Sequence, residues 1–121
     1  MKETIKTFYN EGLICILHCD GNWTPMLKFF KNFPHQSCIV ELDGETDIFE
    51  AKRILGDHLC IKGNVPATLL AFGSKDEVIS YCERLIKIIG KDNGFILSSG
   101  CEVPINAKIE NVKAMVETVN L

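Results

Sequence analysis

The chain lacks a surplus of positive charge: 13 Lys and Arg stand against 16 Asp and Glu, for a net charge of -3. With no Lys/Arg stripe either, nucleic acid is excluded as a partner class. It also lacks an apolar run near the ~20 residues that a membrane span requires. The first six residues, Met1-Lys2-Glu3-Thr4-Ile5-Lys6, have no apolar core of a secretory signal. Cys-x-x-Cys pairs are missing too. The six cysteines (15, 19, 38, 60, 82 and 101) are scattered, several inside apolar runs such as Leu13-Ile14-Cys15-Ile16-Leu17. That usage suits a reducing cytoplasm, not a disulfide framework. No linker or low-complexity tract divides the chain, so 1–121 reads as one domain.

What is present is a globular composition, 46% hydrophobic and 24% charged over 121 residues, enough to bury a core. The stretch Gly94 to Pro104 organises the rest. It reads as a short buried strand, Gly94 to Leu97, running into a small-residue turn that presents Cys101 and Glu102 side by side. Chemistry in α/β proteins gathers just past the carboxyl ends of such strands.

Three further strands are predicted: Leu13 to Leu17, opening into His18-Cys19-Asp20-Gly21; Ser37 to Leu42, closed by Asp43-Gly44; and Leu59 to Gly63, turning at Asn64. Helices alternate with them. One covers residues 2–11 and stops at Gly12. Another starts at Thr24-Pro25, with Thr24 as its N-cap, and breaks before Pro34. A third runs from about Asp47 to Gly56, where Glu50 could complete a capping box. Residues 66–72 read as a short helical turn. Ser74 and Glu77 open the clearest helix, whose stripe is Val78, Ile79, Cys82, Leu85, Ile86 and Ile89. The last helix carries Ile109, Val112, Met115, Val116 and Val119 at helical spacing. Such alternation with apolar strands implies a parallel sheet buried on both faces, with all carboxyl ends on one side.

Polar residues collect at those ends. Side chains at i and i+2 along a strand face the same way, so His18 and Asp20 project together and Cys19 projects oppositely. With the Cys101 thiolate they make three candidate metal ligands, leaving the open position that catalytic zinc requires. A turn beginning one residue earlier would put Cys19 in place of Asp20. The plainer alternative hydrogen-bonds His18 beneath a loop and uses Asp20 to cap a turn. Asp43 either orients a substrate or caps the turn before Gly44, and Glu102 is the second candidate catalytic carboxylate. Asn64, at its own strand end, is a candidate cofactor contact or another turn residue. Trp23 walls a pocket or staples a helix start. His35 and His58 read as surface residues, and Cys15, Cys38, Cys60 and Cys82 as packing.

The pieces Leu17-His18-Cys19-Asp20-Gly21-Asn22, Leu42-Asp43, Ile54-Leu55-Gly56-Asp57, Lys62-Gly63-Asn64-Val65, Gly94 to Pro104, and Glu110 to Val116 occur in an order that resembles a known family. Together they are similar to the C-terminal part of the uroporphyrinogen decarboxylase superfamily. The nearest likeness is to its corrinoid methyltransferase branch, which moves methyl groups between methylcobamide proteins and thiols such as coenzyme M.

The resemblance implies a TIM barrel with its site at the carboxyl ends of the strands. Decarboxylase members carry Gly-His-Gly after the last strand, where this chain has Gly100-Cys101-Glu102. Methyltransferase members bind zinc through His-x-Cys on one strand and a later Cys. His18 and Cys101 match two of these, and the third falls on Asp20, a harder ligand than a thiolate. The implied mechanism has zinc lower the pKa of an acceptor thiol, whose thiolate attacks the methyl group on a partner protein's corrinoid cobalt.

A TIM barrel typically needs ~250 residues and eight strand-helix units. Four units therefore imply a fragment, a split gene product, or a half-barrel that pairs with itself or with an amino-terminal half. The alternatives to methyl transfer are a decarboxylase-type enzyme and a non-catalytic half-barrel that binds a corrinoid protein or partner half.

Overall fold

The computed structural model describes residues 1–92 and 94–120. Its centre is a four-stranded parallel sheet in sequential order: β1 (Cys15–Cys19), β2 (Cys38–Leu42), β3 (Cys60–Val65) and β4 (Phe95–Ser99). The helices are α1 (Lys2–Asn10), α2 (Ile48–Leu55), the short α3 (Ala67–Phe72), α4 (Lys75–Ile88) and α5 (Ile109–Glu117), with a 3-10 helix at Thr24–Asn32. The expected α/β alternation is therefore present, and four parallel strands in this order fit part of a TIM barrel. No helix among the described residues is long and apolar enough to cross a membrane.

One sheet face is covered. Cys19, Cys38, Val40, Leu42 and Ile61 are buried there against Leu27 and Phe30 of the 3-10 segment, Phe33 just after it, Ile48, Ala51 and Leu55 of α2, and Val78, Cys82 and Leu85 of α4. The other face is bare. Ile16 is 56% exposed and Ile96 41%, while Ile39, Glu41 and Lys62 are only half-buried. The expectation of strands buried on both faces is corrected. All the helices of these strand-helix units lie on one side, so apolar strand residues of the opposite parity meet solvent.

Local signals decide most element ends. Asp47 caps α2 by accepting from the N–H groups of Phe49 and Glu50. Glu50 does not close a box there; its carboxylate is taken by Arg53, at 2.7 Å from Nε. The box at Ser74 and Glu77 forms as expected. Thr24 is not an N-cap. It is the first residue of the 3-10 segment, because the Asn22 side chain already accepts its N–H at 3.0 Å.

Three strands, β1, β3 and β4, run two residues further at their carboxyl ends than expected. The ladder pairs Cys15 with Cys38 through Cys19 with Leu42, which brings His18 and Cys19 into β1 and leaves Leu13 and Ile14 exposed before it. Likewise β3 continues through Asn64 and Val65, which pair with Ser98 and Ser99.

The stripe expected on α5 is also corrected. Of its five residues only Met115 is buried, with Val112 intermediate and Ile109, Val116 and Val119 exposed. The helix is instead held by Asn111, whose Nδ2 donates to the Leu70 and Gly73 carbonyls at 3.1 and 3.0 Å. That grip turns Asn111, Ala114 and Met115 inward. His58 is half-buried rather than on the surface, with Nε2 at 2.9 Å from the Phe33 carbonyl.

Candidate functional site at the carboxyl ends of the strands

Parallel register lays His18, Glu41 and Lys62 in one row across the bare face. His18 Nδ1 stands 3.1 Å from Glu41 Oε2, and Lys62 Nζ donates to Glu41 Oε1. The Lys62 hydrogen bond, with a smaller contribution from His18, holds the Glu41 carboxyl below its ordinary value of 4.5. Glu41 and Lys62 were not among the candidate residues. Same-parity positions on adjacent parallel strands were the available signal, but it needs the register, which no local pattern supplies.

Because the folded-state value is depressed, this row stabilises the fold above pH 4.5 and stops doing so as pH falls through the lowered Glu41 value. Urea midpoints measured between about pH 3 and pH 6 should therefore fall on the acid side, and Glu41→Gln should flatten that slope. A slope unchanged by the substitution would assign the acid sensitivity elsewhere.

Asp43 and Asn64 both hydrogen-bond across neighbouring strand ends. Asp43 accepts from Gly21 N–H on Oδ2 at 2.5 Å and from Glu45 N–H on Oδ1 at 2.8 Å, so it anchors the loop after β1 to the end of β2. Asn64 Nδ2 donates to the Asp43 carbonyl at 3.2 Å, and its Oδ1 accepts the Tyr81 hydroxyl at 2.9 Å. Burial is the main cause pushing the Tyr81 pKa up. Asp43→Ala leaves two backbone donors without partners and should cost about 2 kcal/mol by chemical denaturation. Asp43→Asn, which keeps an acceptor oxygen, should cost less.

Beside Asp43 the loop after β1 is closed by Trp23. Its N–H donates to Thr46 Oγ1 at 2.9 Å, its indole N–H to the Asp20 carbonyl at 2.9 Å, and its ring stacks on Phe30. Trp23 thus acts as the staple of the two roles expected for it. Asp20 itself is exposed.

Past β4, Gly100 N–H donates to the Val65 carbonyl at 2.8 Å, folding the turn over β3 towards β2. A Cβ on Gly100 would stand 3.0 Å from the Asp43 Cα, so only glycine seats the turn there without a shift. Cys101 is exposed between two clefts. One of about 180 Å³ lies among Asp43–Glu45, Pro66–Thr68 and Gly100-Cys101. The other, about 640 Å³, is lined by Ala67, Cys101, Glu102, Val103, Pro104 and Ile105.

The structure does not bring His18, Asp20 and Cys101 together. β1 and β4 are the two edges of the sheet, with β2 and β3 between them. Two donors on one zinc ion stand within roughly 4 Å of each other. Among the described residues no group of three His, Cys, Asp or Glu is placed to hold a metal ion. Cys19 does not serve as the alternative ligand in this arrangement. Its thiol lies in the covered core, 2% exposed, where burial pushes its pKa up to about 11. As placed in this chain, the donor set does not fit zinc.

A one-sided, sequentially ordered parallel sheet with polar side chains and clefts at its carboxyl ends fits a segment of a (β/α) barrel. The family description "Uroporphyrinogen decarboxylase (URO-D)" matches residues 1–121, and the chain belongs to that family. A uroporphyrinogen decarboxylase of Coxiella burnetii is 31% identical over 109 residues, covering 83% of this chain and 30% of that protein. One of Chlorobium phaeobacteroides is 26% identical over 121 residues, covering 97% of this chain and 33% of that protein. One of Trichodesmium erythraeum is 35% identical over 80 residues, covering 66% and 22%. The chain spans about a third of the length of the first two relatives.

Proposed function

We propose that this chain forms the carboxyl-terminal half of a URO-D-superfamily barrel, and that its pocket, once closed by four further strands, transfers a methyl group to a small thiol. The observation that carries the reading is Cys101, exposed at the cleft mouth in a Gly100-Cys101-Glu102 turn. In the decarboxylase pattern that turn is Gly-His-Gly. A corrinoid protein would be the methyl donor.

The residues of this chain supply a proton acceptor. His18 Nδ1 faces Glu41, so Nε2 is the ring nitrogen that would take the thiol proton, and Lys62 keeps Glu41 ionised. The sulfur–carbon bond then forms as the cobalt–carbon bond breaks, with its electron pair left on the donor's cobalt. Zinc, when bound, would instead lower the thiol pKa directly. His18, Asp20 and Cys101 do not form its site in this chain, so no step passes through it.

Decarboxylation is the second reading, and the relatives' names favour it. The discriminating experiment offers the closed barrel methylcobalamin with a small thiol, and separately uroporphyrinogen. S-methyl product that falls at least about 100-fold in His18→Ala supports methyl transfer with His18 as the base. Porphyrinogen turnover with no S-methyl product reverses the ranking. Stoichiometric zinc lost from both His18→Ala and Cys101→Ala would replace the base role of His18 with a ligand role.

A further inference from the structure

The loop after β2, residues 43–46, is where the ends of the strands are tied together. Towards β1, Asp43 accepts the Gly21 N–H on Oδ2. Thr46 Oγ1 donates to the Gly21 carbonyl and accepts the Trp23 N–H, both at 2.9 Å. Towards β4, the turn that carries Cys101 rests on the same loop. A Cβ on Gly100 would stand 3.0 Å from Asp43 Cα and 3.1 Å from Gly44 N. Asp43 and Thr46 are both buried. The loop after β1 and the turn after β4, which form two walls of the candidate site, therefore take their position from one segment.

That segment is itself held by a side chain from β3. Asn64, 3% exposed, donates from Nδ2 to the Asp43 carbonyl at 3.2 Å. A carbonyl can only accept, so the amide nitrogen must face Asp43 and the amide oxygen must face away from it. The oxygen accepts the Tyr81 hydroxyl at 2.9 Å. Without that hydroxyl a buried acceptor loses its donor, and the amide can turn and withdraw its nitrogen from Asp43. Tyr81 reaches in from α4. Its ring borders a separate surface cleft with Ser80 and Arg84, not the clefts beside Cys101.

We infer that Tyr81 is a positioning residue of the carboxyl-end site: through Asn64 it fixes the 43–46 loop, and through that loop it aligns the walls after β1 and β4. That these walls serve chemistry rests on the function proposed above. The coupling between them does not.

Tyr81→Phe removes the hydroxyl and keeps the ring. Trp23 is the one tryptophan of the chain, and its indole N–H bonds the Asp20 carbonyl, so its emission reports on the loop after β1. In the 121-residue chain, Tyr81→Phe should shift that emission and speed exchange of the Gly21, Glu45 and Gly100 amides at least about tenfold. Asn64→Ala should do the same. Adding Tyr81→Phe to it should change nothing further, because the hydroxyl acts only through the amide. Leu85→Ala, on the same helix, should instead lower the urea midpoint and leave the emission and those amides unmoved, as a merely structural loss does. Unchanged amides and emission in Tyr81→Phe overturn the inference, as do additive effects in the double variant. In a closed barrel that forms S-methyl product, Tyr81→Phe should lower kcat at least about tenfold at an unchanged KM for the thiol. A kcat equal to that of the parent protein overturns the inference too. Faster amides and shifted emission without S-methyl product from the parent protein sink the proposed chemistry alone and leave the coupling standing.

Discussion

Gly63→Ala should abolish cooperative folding, or lower stability by at least about 4 kcal/mol. Gly63 lies in β3 against Leu42 of β2, at φ +135°, a region that L side chains rarely adopt. An added Cβ would collide with the Leu42 carbonyl oxygen and stand 3.4 Å from its carbon. The obstacle is backbone, so no side chain can swing aside. Relief requires the two central strands to part, which gives up ladder hydrogen bonds and exposes the buried face of Leu42. Urea titration by circular dichroism checks this. A midpoint within error of the parent protein would show that the β2–β3 junction is arranged differently.

Phe30→Ala should cost about 3–5 kcal/mol, the range for deleting a buried aromatic ring. Phe30 is fully buried, stacked on Trp23 at 5.8 Å and tilted against Phe33 at 5.5 Å. The loss extends beyond packing, because Trp23 pins the loop that carries Asp20 to Asn22. The variant should therefore exchange the Gly21 and Trp23 amides faster, in addition to lowering the urea midpoint. Equal destabilisation with those amides still protected would separate the ring cluster from the loop.

How far these features were legible depends on their range. The Ser74–Glu77 box, the Asp47 cap and the strand-helix alternation rest on neighbours a few residues apart. Each was readable because propensity and hydrophobic period are local. The grouping of polar side chains at the strand ends followed from parallel order alone. The errors lie where a distant contact overrides a local one. β1 shifts two residues because its partner strand selects the register. Asp43 caps the turn before Gly44, one of the two roles expected for it, and only the fold adds its reach across to the Gly21 N–H. The α5 stripe faced outward because Asn111 is gripped by carbonyls at the end of α3.

The amino-acid order by itself determined the α/β class, the parallel direction of the strands, and which end of the sheet would carry His18, Asp43 and Cys101. These follow from alternating periodicities and from turn chemistry. Only the tertiary structure decided that helices clothe a single face, that Glu41 and Lys62 engage His18, and that the turn before Cys101 packs on Asp43 at the end of β2. Register and curvature belong to pairs of strands, and no single strand encodes them.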